Sequence, residues 1–126
     1  MTRQSIHTPE APAAVGPYSQ AVRHGNLVFL SGQVALDPAT GKLVSGGIGD
    51  QARQVFRNLR AVCRAAGGDL DGIVKMNIYL TDLANFAEVN DIMAATFAEP
   101  FPARATIGIA ALPLGAEIEV EAVLGL

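Results

Sequence analysis

The sequence of 126 residues holds one cysteine, no tryptophan and two histidines. A single thiol, Cys63, excludes an internal disulfide and a thiolate metal cluster, which points to a reducing compartment. Basic charge is in deficit. Nine Lys and Arg stand against twelve Asp and Glu, for a net charge of −3 and a pI near 5.2, so no positive field draws phosphates and nucleic acid is not an expected partner. The N-terminal residues include Thr2, Arg3, Gln4, Ser5, Pro9, Glu10 and Pro12 and lack the apolar stretch of a signal peptide. No apolar run approaches the ~20 residues that cross a bilayer. The expected protein is cytoplasmic, without a membrane partner. What is present is a hydrophobic half, with only 17% of residues charged against a usual share of about 25%. That balance describes one globular domain over residues 1–126 with some apolar surface left for a second subunit.

The order of elements predicts an α+β architecture. Tyr18 to Arg23 reads as extended, His24-Gly25-Asn26 as a turn, and Leu27 to Val34 as an apolar strand, together a hairpin. Asp37-Pro38-Ala39-Thr40-Gly41 is a second turn leading to a short strand around Lys42 to Val44. Ala52, Val55, Phe56, Leu59, Val62, Cys63 and Ala66 form a helical stripe, with Asp50 as its expected cap and Gly67 as its stop. Val74, Met76, Ile78 and Leu80 alternate with Lys75, Asn77 and Tyr79 as a half-buried strand. Asp82 is the expected cap of a second helix bearing Phe86, Val89, Asn90, Met93 and Phe97. Strands over 103–110 and 117–124 close the chain. The pattern β-β-β-α-β-α-β-β gives a mostly antiparallel sheet with two helices on one face. Nothing remains to cover the other face, so a closed cyclic oligomer is expected.

Most catalytic templates are missing: there is no phosphate loop, no nucleophile elbow and no metal-binding spacing of His and Cys, so neither metal nor phosphate chemistry is expected. His7 reads as part of a flexible tail, His24 as a turn residue and Cys63 as a small core residue. The arginines 53, 57, 60 and 64 read as a solvated helix face. What stands out is polar residues in apolar settings. Arg104 is the one charge in the strand Ala103 to Ala110; a lone guanidinium beside apolar walls suits capture of a small carboxylate, and equally suits a structural pair with a nearby acid. Glu117, Glu119 and Glu121 share one face of the last strand, which by itself describes the wet side of an edge strand. Ser31-Gly32 ends an apolar strand, where Gly lets a ligand approach the backbone and Ser can donate to it. Tyr18 follows the stiff Gly16-Pro17 and offers a phenol either to a cleft or to the core.

Taken together, the run Ala11-Pro12-Ala13-Ala14-Val15-Gly16-Pro17-Tyr18-Ser19-Gln20, the Leu-Ser-Gly-Gln of residues 30–33, Gln51-Ala52-Arg53-Gln54, Phe86-Ala87-Glu88-Val89-Asn90, and Phe101-Pro102-Ala103-Arg104 followed by Ile118-Glu119-Val120-Glu121-Ala122 resemble the RidA (YjgF) family, in order and over nearly the whole chain. The resemblance implies a chorismate-mutase-like subunit, a homotrimer whose sheets form a central barrel, and small imino or keto acids bound in clefts between subunits. The implied activity is hydrolytic deamination of 2-iminobutanoate and 2-iminopropanoate to 2-keto acids and ammonia without a cofactor. By position, Arg104 matches the residue that holds the substrate carboxylate and Glu119 the one that orients water near it. Tyr18, Ser31, Gly32 and Asn90 match residues lining that cleft. Thr106 departs from the family, whose deaminases often carry Cys there, and bears on substrate range. The alternative from another class is a non-catalytic trimer that binds small carboxylates or regulates a partner. A ribonuclease reading, attached to some members, is disfavoured by the acidic pI.

Overall fold

The computed structural model describes residues 2–126. Six strands form one sheet: β1 (Gln4–Ile6), β2 (Ala21–His24), β3 (Leu27–Gln33), β4 (Ile73–Leu80), β5 (Ala103–Gly108) and β6 (Ile118–Gly125), in the spatial order β1-β2-β3-β6-β4-β5. Two helices, α1 (Ile48–Ala65) and α2 (Phe86–Thr96), accompany it. All neighbouring pairs are antiparallel except β4 with β5, which α2 joins as a parallel crossover. The expected string of elements therefore stands, yet one of its strands is a different segment.

The short strand expected around Lys42 to Val44 is instead a loop held by a single bridge between Leu36 and Leu43. Asp37 gathers this loop on itself, its carbonyl accepting from Thr40 and Gly41 and its carboxylate from Ala39. The missing strand comes from the opposite end, where Gln4 to Ile6 pairs with Ala21 to Arg23. Three residues with one apolar side chain give no periodic signal. What fixes them is the buried Gln20 carboxamide, whose Oε1 accepts from the Thr8 N–H at 2.7 Å while Nε2 donates to the carbonyls of Thr8, Ala11 and Pro12. Such a fully bonded buried amide ties its segment down, so the expected flexible tail around His7 is ordered, with His7 itself exposed.

Helix α1 starts two residues before Asp50. Gly47 is its cap, without a side-chain bond, and Asp50 lies in the first turn, where a carboxylate meets the positive end of the helix dipole. Gly67 ends the helix as expected, at a φ of +95° that favours glycine. Asp82 caps a one-turn 3-10 segment, Leu83–Asn85, that feeds α2, by accepting from the Ala84 N–H. The core lies between the helices and one sheet face. Val55, Phe56, Leu59 and Val62 of α1 meet Val28, Met76, Ile78, Leu80, Ile118, Val120 and Leu124 of the sheet, all essentially inaccessible to water, each of the larger ones worth about 1.5–3 kcal/mol of burial. Phe56 and Phe97 pack edge to face at 5.4 Å. Val74, expected inside, is exposed because the register between β4 and β6 slips between Ile73 and Lys75.

Cys63 is fully buried, and burial first, with the charge of Asp69 second, pushes its thiol up to about 12. It is a core residue. The helix arginines are solvated and locally paired: Arg60 and Arg64 share Asp69 at 3.0 and 3.1 Å, and Arg53 approaches Asp50 at 3.8 Å.

The second sheet face has no helix on it. It carries Leu27 and Phe29 of β3, Ile107 of β5 and Val123 of β6, interspersed with Lys75, Asn77, Tyr79, Glu119 and Glu121; Leu27, Phe29 and Ile107 are each close to half exposed.

Candidate functional site

Strand register decides which polar residues can meet. Met76, Ile78 and Leu80 point to the helices, and β5 pairs with β4 so that Arg104 lies beside Met76 and Thr106 beside Ile78. Arg104 and Thr106 therefore stand on the helix side of the sheet, at its free β5 edge. Glu119 pairs with Tyr79 and Glu121 with Asn77, on the open side. Side chains alternate strictly along a strand. Within one chain, Arg104 and Glu119 lie on opposite faces.

Arg104 is held by α2. Its Nη1 donates to Asn90 Oδ1 at 2.6 Å and touches Met93 Sδ at 3.5 Å, and its Cζ sits 5.4 Å from the centre of the Phe86 ring. The sequence stripe of α2 explains this, since Phe86, Asn90 and Met93 recur at helical spacing and present one face to β5. Asn90, the polar member of that stripe, is the orienting partner of the guanidinium. An open cleft of about 440 Å³ adjoins it, lined by Asn90, Met93, Ala94, Phe101, Pro102 and Arg104. Arg104 has no carboxylate partner among the described residues, which removes the structural-pair reading within one chain. Two residues along β5, the buried Thr106 Oγ1 has no hydrogen-bond partner among the described residues.

The second group surrounds the β3 bulge. Leu30 pairs with Ala122 and Gln33 with Val120, so three steps on β3 face two on β6, an extra residue of the kind that re-aims side chains. A Cβ on Gly32 would lie 2.7 Å from Glu119 Oε1 and 2.9 Å from its Cδ. The glycine is the seat of the Glu119 carboxylate, a role its place at the end of an apolar strand did not reveal. Ser31 Oγ donates to the Ser19 carbonyl at 2.6 Å, and the Ser31 N–H donates to the Gln20 carbonyl at 3.0 Å. The serine proton expected for a ligand is thus used to fix the segment that carries Tyr18. Tyr18 is half exposed, its hydroxyl accepting from the Val15 N–H at 3.4 Å.

The three glutamates are not equivalent: Glu117, expected on the last strand, lies just before it, and β6 is not an edge strand but lies between β3 and β4. Glu117 belongs to the helix end, exchanging two bonds with Gln51 of α1, one from Gln51 Nε2 to its carboxylate at 3.3 Å and one from its own N–H to Gln51 Oε1 at 2.9 Å. Glu121 Oε1 accepts from Tyr79 Oη at 2.6 Å and Asn77 Nδ2 at 3.1 Å. Among the described residues no side chain donates to Glu119, and its carboxyl is held above the usual carboxylate range, first by burial and then by the negative charge of Glu121.

The family described as Endoribonuclease L-PSP matches this chain over residues 8–124. The chain belongs to this family, the RidA (YjgF) family. A RutC family protein of Sinorhizobium fredii is 50% identical over 123 residues, covering 98% of each chain. The human protein named 2-iminobutanoate/2-iminopropanoate deaminase is 45% identical over 98% of this RidA-family chain and 90% of its own. The crystal structure of RidA from an Antarctic Psychrobacter is 51% identical, with a TM-score of 0.94 over 98% of this chain and 99% of that one. The mixed α+β fold, with six strands and two helices, is the RidA fold. Among the described residues no helix is long and apolar enough to cross a membrane.

Proposed function

We propose that this protein hydrolyses reactive 2-imino acids to 2-keto acids and ammonia, in clefts formed between the copies of a cytoplasmic homotrimer closed around a central barrel. The observation that carries the reading is an arginine clamped by Asn90 and Phe86 at the rim of an open cleft, in a chain close in sequence over nearly its whole length to proteins named as such deaminases.

The geometry supports a composite site. Arg104 of one copy supplies the carboxylate fork, and because its own Glu119 faces the other side of the sheet, the neighbouring copy supplies Glu119 together with Tyr18, Ser31 and Gly32. Asn90 already accepts from Nη1, which leaves the other guanidinium donors for two parallel bonds to a planar carboxylate. Thr106 lies two residues along the same strand face, its hydroxyl oxygen sealed inside rather than lining the cleft, so its bearing on substrate is through the shape of the β5 edge.

The chemistry needs little more. The carbon of a protonated imine is electrophilic, so a water held by Glu119 attacks it, the new C–O bond forming as one water proton passes to the carboxylate and the C=N π pair collapses onto nitrogen. Glu119 then gives that proton to the nitrogen. The C–N bond breaks with loss of ammonia as the remaining hydroxyl becomes the keto group and its proton returns to solvent. Holding reactants in this way accounts for catalysis without a cofactor.

The test is keto-acid release from imines generated in situ by an amino-acid oxidase. Faster release with this protein than without it is expected, and equal release would refute the activity. In solution the mass should be three times that of the chain by light scattering at micromolar concentration, because the open sheet face exposes Leu27, Phe29 and Ile107 and a closed ring covers that face in every copy. A monomer mass would remove the cleft.

Gly32→Ala offers a finer test. The new methyl displaces only the flexible end of Glu119, so the circular dichroism and the oligomer should persist while kcat falls by about 10–100-fold, the scale of an ångström-sized misplacement. Undiminished kcat would mean the carboxylate does not work from this seat.

A further inference from the structure

We propose that Glu121 is a positioning residue of this site: held by Tyr79 and Asn77, it keeps the proton of the neighbouring carboxyl pair on Glu119. The proposal rests on the reading of Glu119 as the group that holds water and shuttles its proton.

The argument begins with the strand. Glu119 and Glu121 are two residues apart on the same face of β6, about 7 Å from one another along the chain, and the negative charge of Glu121 acts on the Glu119 carboxyl. Their surroundings differ sharply. Glu121 accepts from the Tyr79 phenol and the Asn77 amide, both on β4, so its Oε1 is already engaged by two donors. Glu119 rests on the bare backbone of Gly32, with no such donor among the described residues. The proton that the pair binds first therefore goes to Glu119. The phenol is consistent with this: its bond to Glu121, then burial, then the charges of Glu121 and Glu119 raise Tyr79, which keeps it a donor.

The other groups facing Glu119 do not undo the assignment. Just before its strand, Glu117 is engaged with Gln51. From β3 come Ser31 and Gly32, which carry no charge. From β4 comes Tyr79, with Lys75 two positions beyond Asn77 on the same face. In the proposed assembly, Arg104 of the neighbouring copy is occupied by the substrate carboxylate.

The consequence is chemical. A carboxylate of ordinary acidity is a poor base toward water and gives up its proton readily to solvent. One raised toward the working pH both takes the proton from attacking water and retains it long enough to hand to nitrogen. Glu121 touches no reacting atom in this scheme; it acts through Glu119.

The experiment follows the side-chain carboxyl of Glu119 by carbon-13 NMR as pH is varied, in the full-length protein and in Glu121→Gln and Tyr79→Phe. In the wild type, Glu119 should titrate above the ordinary Glu value of about 4.3. Glu121→Gln should lower that midpoint, because it removes the like charge that adds to the effect of burial. Tyr79→Phe should lower it by less, because the proton is then shared with Glu121, and the acidic limb of kcat/KM should move the same way in both. An unmoved midpoint in Glu121→Gln overturns the proposal, and a midpoint that moves there but not in Tyr79→Phe overturns the part given to the phenol. Because the titration is read without turnover, a protein that lacks deaminase activity yet shows these shifts would refute the catalytic reading and leave the proton assignment standing.

Discussion

Arg104→Ala should abolish deaminase activity, lowering kcat/KM by at least about 10²-fold, while the fold and the oligomer survive. The guanidinium is exposed and its protein contacts are to Asn90, Met93 and Phe86 at the rim of the cleft, so truncation removes no core volume. What it removes is a fork of two charge-assisted bonds to the substrate, each worth about 1.5–3 kcal/mol. Arg104→Lys should recover only part of the loss, because an ammonium cannot make two parallel bonds. Steady-state turnover of iminopropanoate by the Ala variant checks this, and turnover equal to wild type would remove the anchor from the account.

Glu119→Gln should lower kcat by about 10²–10⁴-fold, the usual contribution of a general acid-base group, while carboxylate inhibitors still bind through Arg104. Glu117→Gln is the matched control. Its carboxylate meets Gln51 at the end of α1 rather than the Gly32 seat, so its substitution should leave turnover little changed. Equal losses at the two positions would restore the plain reading of an acidic strand face, and would remove Glu119 as the proton shuttle.

That contrast marks how far the residues alone could be read. Alternation over residues 117–124 correctly separated the glutamates from Ile118, Val120, Ala122 and Leu124, because a strand with one dry face leaves a period of two. It placed the strand at the wrong position in the sheet. Which strands flank β6 is settled by long-range pairing, and that pairing turns a wet edge into a central strip bordered by Tyr79 and Gly32. The helix stripes were equally legible, and so was the oddity of Asn90, whose role appears only when β5 brings Arg104 beside it. The N-terminal strand escaped because it owes its place to Gln20, a single buried side chain twelve residues from the backbone it holds; no local propensity records that. The opposite-face placement of Arg104 and Glu119 was invisible for a similar reason: it is set by which strands pair and in what register, and spacing along the chain does not record that.

Mixing the two inactive variants tests the composite site directly. If Arg104 of one copy serves Glu119 of the next, an Arg104→Ala protomer still supplies a good glutamate and a Glu119→Gln protomer a good arginine. After equal amounts exchange protomers in a closed trimer, about one site in four combines the two intact halves. The mixture should then release keto acid at roughly a quarter of the wild-type rate, from parents that are each nearly silent. A mixture as silent as its parents, with exchange confirmed by mass spectrometry of the intact oligomers, would contradict a site shared between copies.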